Sequence, residues 1–249
     1  MIYALFMRRV WLWKNRLISS IGIIFILPVL VYILITSSLK NILGQSLSGI
    51  PYEIWVIPGL IFIISSLGLF PLLYRDFFDL RVHKKVIVNV ALAPYEKRNL
   101  VGSYIFVAGL EAMIMGLISI FVFAGFTQIS LGLMEIFVLF SCLGLYLFLL
   151  GNLFISIALI IDTVTTLFLI TAMIFTLIFF GNGFIIEFGF FSAEMEAILK
   201  WQPISIPFQI FQNYYRSGLF DWKIFSGMFA LSGLWVIANG SILKRRLIH

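Results

Sequence analysis

The chain has 249 residues, 62% of them hydrophobic and 11% charged, against roughly a quarter charged in an ordinary soluble domain. That composition excludes a water-soluble core. The 17 basic and 11 acidic residues leave a formal charge of +6, but the surplus flanks apolar stretches, so it reports membrane topology and argues against nucleic-acid binding.

Crossing roughly 30 Å of hydrocarbon takes about 20 apolar residues, each rising about 1.5 Å in a helix. The first predicted element, residues 1–17, precedes any such stretch. Phe6, Val10, Trp13 and Leu17 recur at helical spacing while Arg8, Arg9, Asn15 and Arg16 lie mostly on the other side. This pattern predicts an interfacial helix, either a topogenic anchor or a docking element. Six stretches of spanning length follow: Ile18 to Ile35, Ile54 to Tyr74, Val101 to Phe126, Ile136 to Ile161, Val164 to Phe184 and Ile224 to Leu243. The first is too long for a signal peptide and lacks an A-x-A exit, so it is expected to be retained.

Lys and Arg near span ends favour the cytoplasm. Thirteen of the 17 basic residues precede span one, lie between spans two and three, or follow span six. Only Lys40, Lys200, Arg216 and Lys223 occupy the alternate loops. Both termini and the loop 75–99 are therefore expected inside. That loop, RDFFDLRVHKKVIVNVALAPYEKRN, mixes six basic residues with apolar runs that a merely solvated loop does not need. Val86 to Leu92 suits either the membrane surface or a protein partner, and Pro94 breaks the helix before span three.

Along span three, Gly102, Gly109 and Gly116 repeat every seven residues and predict a stripe for close helix packing. Glu111 falls nearly opposite. An ionisable group at that depth must be neutral, paired or wetted, so it either lines a pathway or is a hydrogen-bonded structural residue. Glu135 sits near a boundary, where water relieves it. Cys142, the lone cysteine, lies within span four and packs as a small hydrophobe. Before span six, residues 185–223 predict short helices over Ala193 to Trp201 and Ile206 to Tyr215, separated by Pro203 and Pro207. They are either a re-entrant pair lining a cavity or plain surface helices.

Converging catalytic groups are missing. His83 and His249 have no metal-ligand spacing to other donors, and no hydrolase or phosphate-binding motif is present. No cofactor or metal is expected in this chain, so any energising ATPase must be a separate chain. The triplet Asn239-Gly240-Ser241 matches a glycosylation acceptor only by accident, at the end of span six.

The order of these parts resembles the permease subunit of type-2 ATP-binding-cassette exporters, a family that includes polysaccharide, glycolipid and drug export systems. The resemblance covers nearly the whole chain and is carried by loose motifs. Tyr52, Pro58, Gly59 and Leu60 match the family's entry to span two. Ala93, Pro94, Lys97 and Arg98 match the end of its coupling loop, and Gln202-Pro203, Arg216 and Gly218 match the segment before span six. The Glu and Gly-Thr common in the family's coupling loop are absent from DLRVHKKV, a departure from the family's docking pattern. The fold implied is all-α, one permease domain over residues 1–249, with six transmembrane helices, an interfacial helix at 1–17, a coupling loop at 75–99 and an outer re-entrant segment at 185–223. The resemblance further implies a bacterial inner-membrane location, a second permease copy as a homodimer, and two cytoplasmic ATPase subunits carrying ATP and magnesium. Arg8, Arg9, Lys84, Lys85, Ala93 and Pro94 would couple to the ATPase, Glu111 would line the pathway, and Pro203, Pro207 and Arg216 would shape the outer segment. The cargo would be a lipid-linked glycan, a lipid or another amphipathic molecule. A membrane scaffold that recruits a partner without transport stands as the alternative; a membrane enzyme has the least support.

Overall fold

The structure, a computed structural model, describes residues 2–15, 17–47, 49–83, 96–127 and 131–248. The chain is helical, with no β-strand among the described residues. An N-terminal helix, Ile2–Asn15, leads to six helices long and apolar enough to cross a membrane: Ser20–Leu43, Tyr52–Val82, Lys97–Ala124, Leu133–Ile160, Val164–Gly181 and Trp222–Arg246. The chain thus has the architecture of a multi-pass membrane protein. Two short helices, Ala193–Lys200 and Ile206–Ser217, precede the last span.

The bundle has two distinct ends. Arg81 of the second span, Asp162 between the fourth and fifth, and Arg246 of the sixth meet at the end carrying the N-terminal helix, here the terminal end. Lys40 and Glu53, 3.0 Å apart, close the opposite end between the first and second spans.

The second span is the axis of the fold. Every residue from Trp55 to Ser66 is buried, because the third and fourth spans flank it and the segment before the sixth span folds back over it. Tyr52 donates from its hydroxyl to the Ile185 carbonyl at 3.1 Å, and a side chain at Gly59 would overlap the backbone of Phe184. Phe62, Tyr146, Phe184 and Phe208 pack with ring centroids 4.8–5.6 Å apart. The Tyr146 hydroxyl, buried with them, shares a 2.6 Å hydrogen bond with Ser66.

The two short helices divide the expectations for their segment. Ala193–Lys200 buries only Leu199 and is a surface helix. Ile206–Ser217 buries Pro207, Phe208, Ile210 and Phe211 in the bundle. Pro207 does not separate the helices; it occupies the first turn of the second, where its missing N–H goes unused. Pro203 lies in the exposed turn between them. Gly218 ends the second helix at φ 70°, with its N–H on the Tyr214 carbonyl at 2.8 Å.

The fourth and sixth spans are joined by a buried polar network. Asn239 donates to the Asn152 carbonyl at 3.0 Å and accepts from Ser156 at 2.7 Å, while Trp235 donates to Ser156 at 2.9 Å. Such groups hold helices together where hydrocarbon offers them no other partner. This network occupies the Asn239 side chain of the sequence triplet.

Two spans carry a proline inside the helix, Pro28 and Pro71, and each is followed within about one turn by a π-helical segment, Tyr32–Ser37 and Tyr74–Asp79. Proline lacks the N–H for the helical ladder and its ring crowds the carbonyl four residues back; the register then shifts by one residue. In the second span this brings Asp76, Phe77 and Phe78, three consecutive residues, all into buried positions.

The expected glycine stripe does not form one contact face within the chain. A Cβ at Gly116 would lie 2.5 Å from Ser65 Oγ and 3.2 Å from Leu143, one at Gly102 would lie 3.6 Å from Val236, and one at Gly109 meets nothing within 4 Å. A seven-residue repeat drifts about 20° per heptad on a straight helix, so the three positions face different neighbours. Other close approaches, unflagged by any repeat, occur at Gly151 against Ile105 and at Gly240 against the Arg98 backbone, each 2.8 Å from a built Cβ. Gly116→Leu is expected to cost upward of about 3 kcal/mol through overpacking and to abolish a monodisperse peak in detergent gel filtration. Gly109→Leu should elute and melt like the parent chain; loss of both would restore the stripe.

Candidate functional site

Charged residues in and beside spans are costly in hydrocarbon and mark sites where they are paired. Between the N-terminal helix and the second and third spans, five of them converge. Asp76, 5% exposed, accepts from three guanidinium groups: Arg9 at 2.5 Å, Arg75 at 3.2 Å and Arg8 at 3.3 Å. Arg9, 7% exposed, also reaches Glu111 at 3.5 Å and donates to the Leu72 carbonyl at 3.3 Å. Glu111 accepts a 2.7 Å hydrogen bond from the Trp13 indole N–H. Burial pushes the Arg9 guanidinium below the ordinary arginine pKa, and Asp76, then Glu111, push it back up.

Local sequence explains how each group arrives. Leu5, Arg9 and Trp13 recur every four residues, on one face of the N-terminal helix, and that face packs on the bundle. Of the expected apolar face, Phe6, Val10 and Leu17 stay 45%, 40% and 50% exposed, while Trp13 turns onto the bundle and Arg9, from the expected polar side, is buried. The cause is the pair of carboxylates waiting on the spans, which make an arginine the residue that fits the inner face. Ile2, Tyr3, Met7 and Trp11 join Phe6 and Val10 on the exposed side, a surface suited to the headgroup layer. Asp76 is aimed by the π-helical segment after Pro71, and Phe77 beside it packs edge-on against Tyr104 of the third span at 5.9 Å.

A second set of ion pairs lies further along the same span. Arg81 pairs with Asp162 at 2.8 Å, donates to the Ile161 carbonyl and stands 5.9 Å over the Phe78 ring. Arg246 reaches Asp162 at 3.7 Å and the Ile160 carbonyl at 3.2 Å. The terminal end of the second span is thereby tied to the N-terminal helix and third span through Asp76, and to the fourth, fifth and sixth through Arg81.

Of the predicted coupling residues, Arg8 keeps 40% of its side chain exposed, while Arg9 is consumed inside the fold. Lys84, Lys85, Ala93 and Pro94 lie outside the described residues. Glu111 lines a groove of about 280 Å³ between the N-terminal helix and the first three spans, as do Arg75 and Trp13. At the opposite end Arg216 pairs with the buried Glu187 at 3.4 Å, and Glu187 also accepts the Leu47 N–H at 3.2 Å. These residues, with Lys200, Gln209 and Gln212, line a polar cavity of about 310 Å³. Asp76 and Arg81 were not singled out in the sequence; their signal was charge persisting within helical continuation of an apolar span. Comparison with protein-family models, curated proteins and solved structures finds no match to this chain.

Asp76→Asn leaves Arg9 with Glu111 as its one carboxylate partner. Breaking a buried pair costs about 3–5 kcal/mol, whereas removing a half-exposed cation such as Arg8 costs about 1 kcal/mol or less. Thermal unfolding in detergent should therefore place Asp76→Asn well below Arg8→Gln; equal melting of the two variants would contradict the pairing.

Proposed function

We propose that this chain is the permease subunit of an ATP-driven exporter of the ATP-binding-cassette type, moving a lipid-linked glycan, a lipid or another amphipathic molecule out of the cytoplasm. The observation that carries the reading is the Arg9–Asp76–Glu111 cluster. It fastens an N-terminal helix to the two spans that flank the basic loop between them, which is where a cytoplasmic engine would act. The distribution of Lys and Arg favours placing this end in the cytoplasm. Six spans and a buried short helix before the last one agree with the same architecture.

In this reading two permease copies enclose a pathway and two ATPase subunits dock below, at the basic segment between the second and third spans and the exposed side of Arg8. ATP and magnesium reside on those ATPases. A nucleotide-dependent partner shifts the membrane part only if it binds two positions of the loop with different affinity. A displacement of that loop acts on the end of the second span, and the pairs at Asp76 and Arg81 pass it to the N-terminal helix and to the fourth to sixth spans.

Co-expression with cassette ATPases from the same genome, followed by mass measurement of the intact complex in detergent, tests the proposal. Two copies of each chain are expected, and Lys84→Glu with Lys85→Glu should lower recovery of the complex severalfold while membrane insertion is unchanged. A stable, folded chain that retains no ATPase would overturn the exporter in favour of a scaffold.

A further inference from the structure

The groove beside the charged cluster has the chemistry of a phospholipid site, and we propose that it holds one anionic phospholipid of the surrounding bilayer. It depends on the membrane architecture and not on the export reading. Away from Arg75 and Glu111 its walls are apolar: Ile23 and Leu27 of the first span face Leu67 of the second and Met115 of the third. Leu67, Pro71 and Arg75 follow one another at four-residue steps on one helix face, so the groove runs roughly 12 Å from its apolar depth to Arg75. That length accommodates much of one acyl chain. The N-terminal helix supplies Trp13 at the same end, and an indole with one polar edge suits the boundary between tails and headgroups.

Charge selects the headgroup. The cluster contains three guanidinium groups, on Arg8, Arg9 and Arg75, against two carboxylates, on Asp76 and Glu111. Asp76 is shared by all three cations, and Glu111 is engaged by Arg9 and Trp13. One positive charge remains uncompensated. Arg75 and Arg8, each with 40% of the side chain exposed, are the cations from which it can be reached, and of these Arg75 lines the groove. A phosphate ester there would receive a charge-assisted fork from the guanidinium, while its acyl chain covers Ile23, Leu27, Leu67 and Met115. A zwitterionic lipid fills the same apolar walls but brings its own cation and leaves the surplus uncompensated.

The test uses the full chain, delipidated in detergent, and native mass spectrometry with phosphatidylglycerol and phosphatidylcholine of identical acyl chains as competing probes. One retained phosphatidylglycerol per chain is expected, with a preference of about five-fold over phosphatidylcholine, as one cation near a headgroup supplies. Arg75→Gln should bring the two lipids to parity, and Leu27→Trp, which fills the groove and keeps Arg75, should abolish retention of both. Lys223→Gln, at an exposed cation of the far end, should change nothing. Inorganic phosphate at matching concentration should not displace the lipid. Equal retention of the two lipids by the parent chain, or retained preference in Arg75→Gln, would overturn the proposal. So would displacement by phosphate alone, which would identify a free-anion site. If Arg75→Gln fails to fold, the parent preference and the Leu27→Trp result decide the matter.

Discussion

A carboxylate withdrawn from water must be paired, and Asp76 is the group on which the terminal end of this molecule depends. An isolated ion moved into a low-dielectric interior loses several kcal/mol even after relaxation. Three arginines offset that cost, and two of them, Arg8 and Arg9, belong to the N-terminal helix, which otherwise holds the bundle through Leu5 and Trp13. The N-terminal helix buries one arginine, Arg9, while much of its apolar surface faces outward. Its position is thus set by charge, and its exposed apolar side is left for the bilayer.

The path to that geometry runs through a proline. Pro71 disturbs the ladder of the second span, a π-helical segment follows, and three consecutive residues turn inward. Asp76 meets Arg9, Phe77 meets Tyr104, and Phe78 stacks on Tyr74 at 5.6 Å. Toward the other end the same span is locked by aromatic packing around Phe62 and by the close approach of Phe184 to Gly59. A rigid central helix with charged ties at one end and aromatic ties at the other is suited to carry a displacement along its axis.

Long apolar runs made the six spans legible, and the two short helices before the last span were visible from their proline and apolar spacing. Boundaries shifted where charges are paired. The second span extends past Tyr74 to Val82 because Arg75, Asp76 and Arg81 find partners within the fold, and the first extends to Leu43 with Lys40 paired to Glu53. Hydropathy counts those residues as loop. Burial of Arg9 on the N-terminal helix escaped the sequence for a related reason: Leu5, Arg9 and Trp13 form a seam only once Asp76 and Glu111 are known to stand opposite, and those lie far along the chain. Glycine spacing likewise singled out Gly109, which faces open space, and passed over Gly59, Gly151 and Gly240, where only tertiary packing demands the absence of a side chain.

The central claim is that buried charge makes the N-terminal helix and the adjoining spans one rigid unit. Spin labels on Tyr3→Cys and Phe106→Cys, both on exposed positions, would report it through double electron–electron resonance in lipid nanodiscs, since Cys142 is buried. A single narrow distance distribution, broadened when Arg9 is replaced by Gln, is the predicted result. A broad distribution in the parent chain, or a narrow one indifferent to Arg9, would contradict the account.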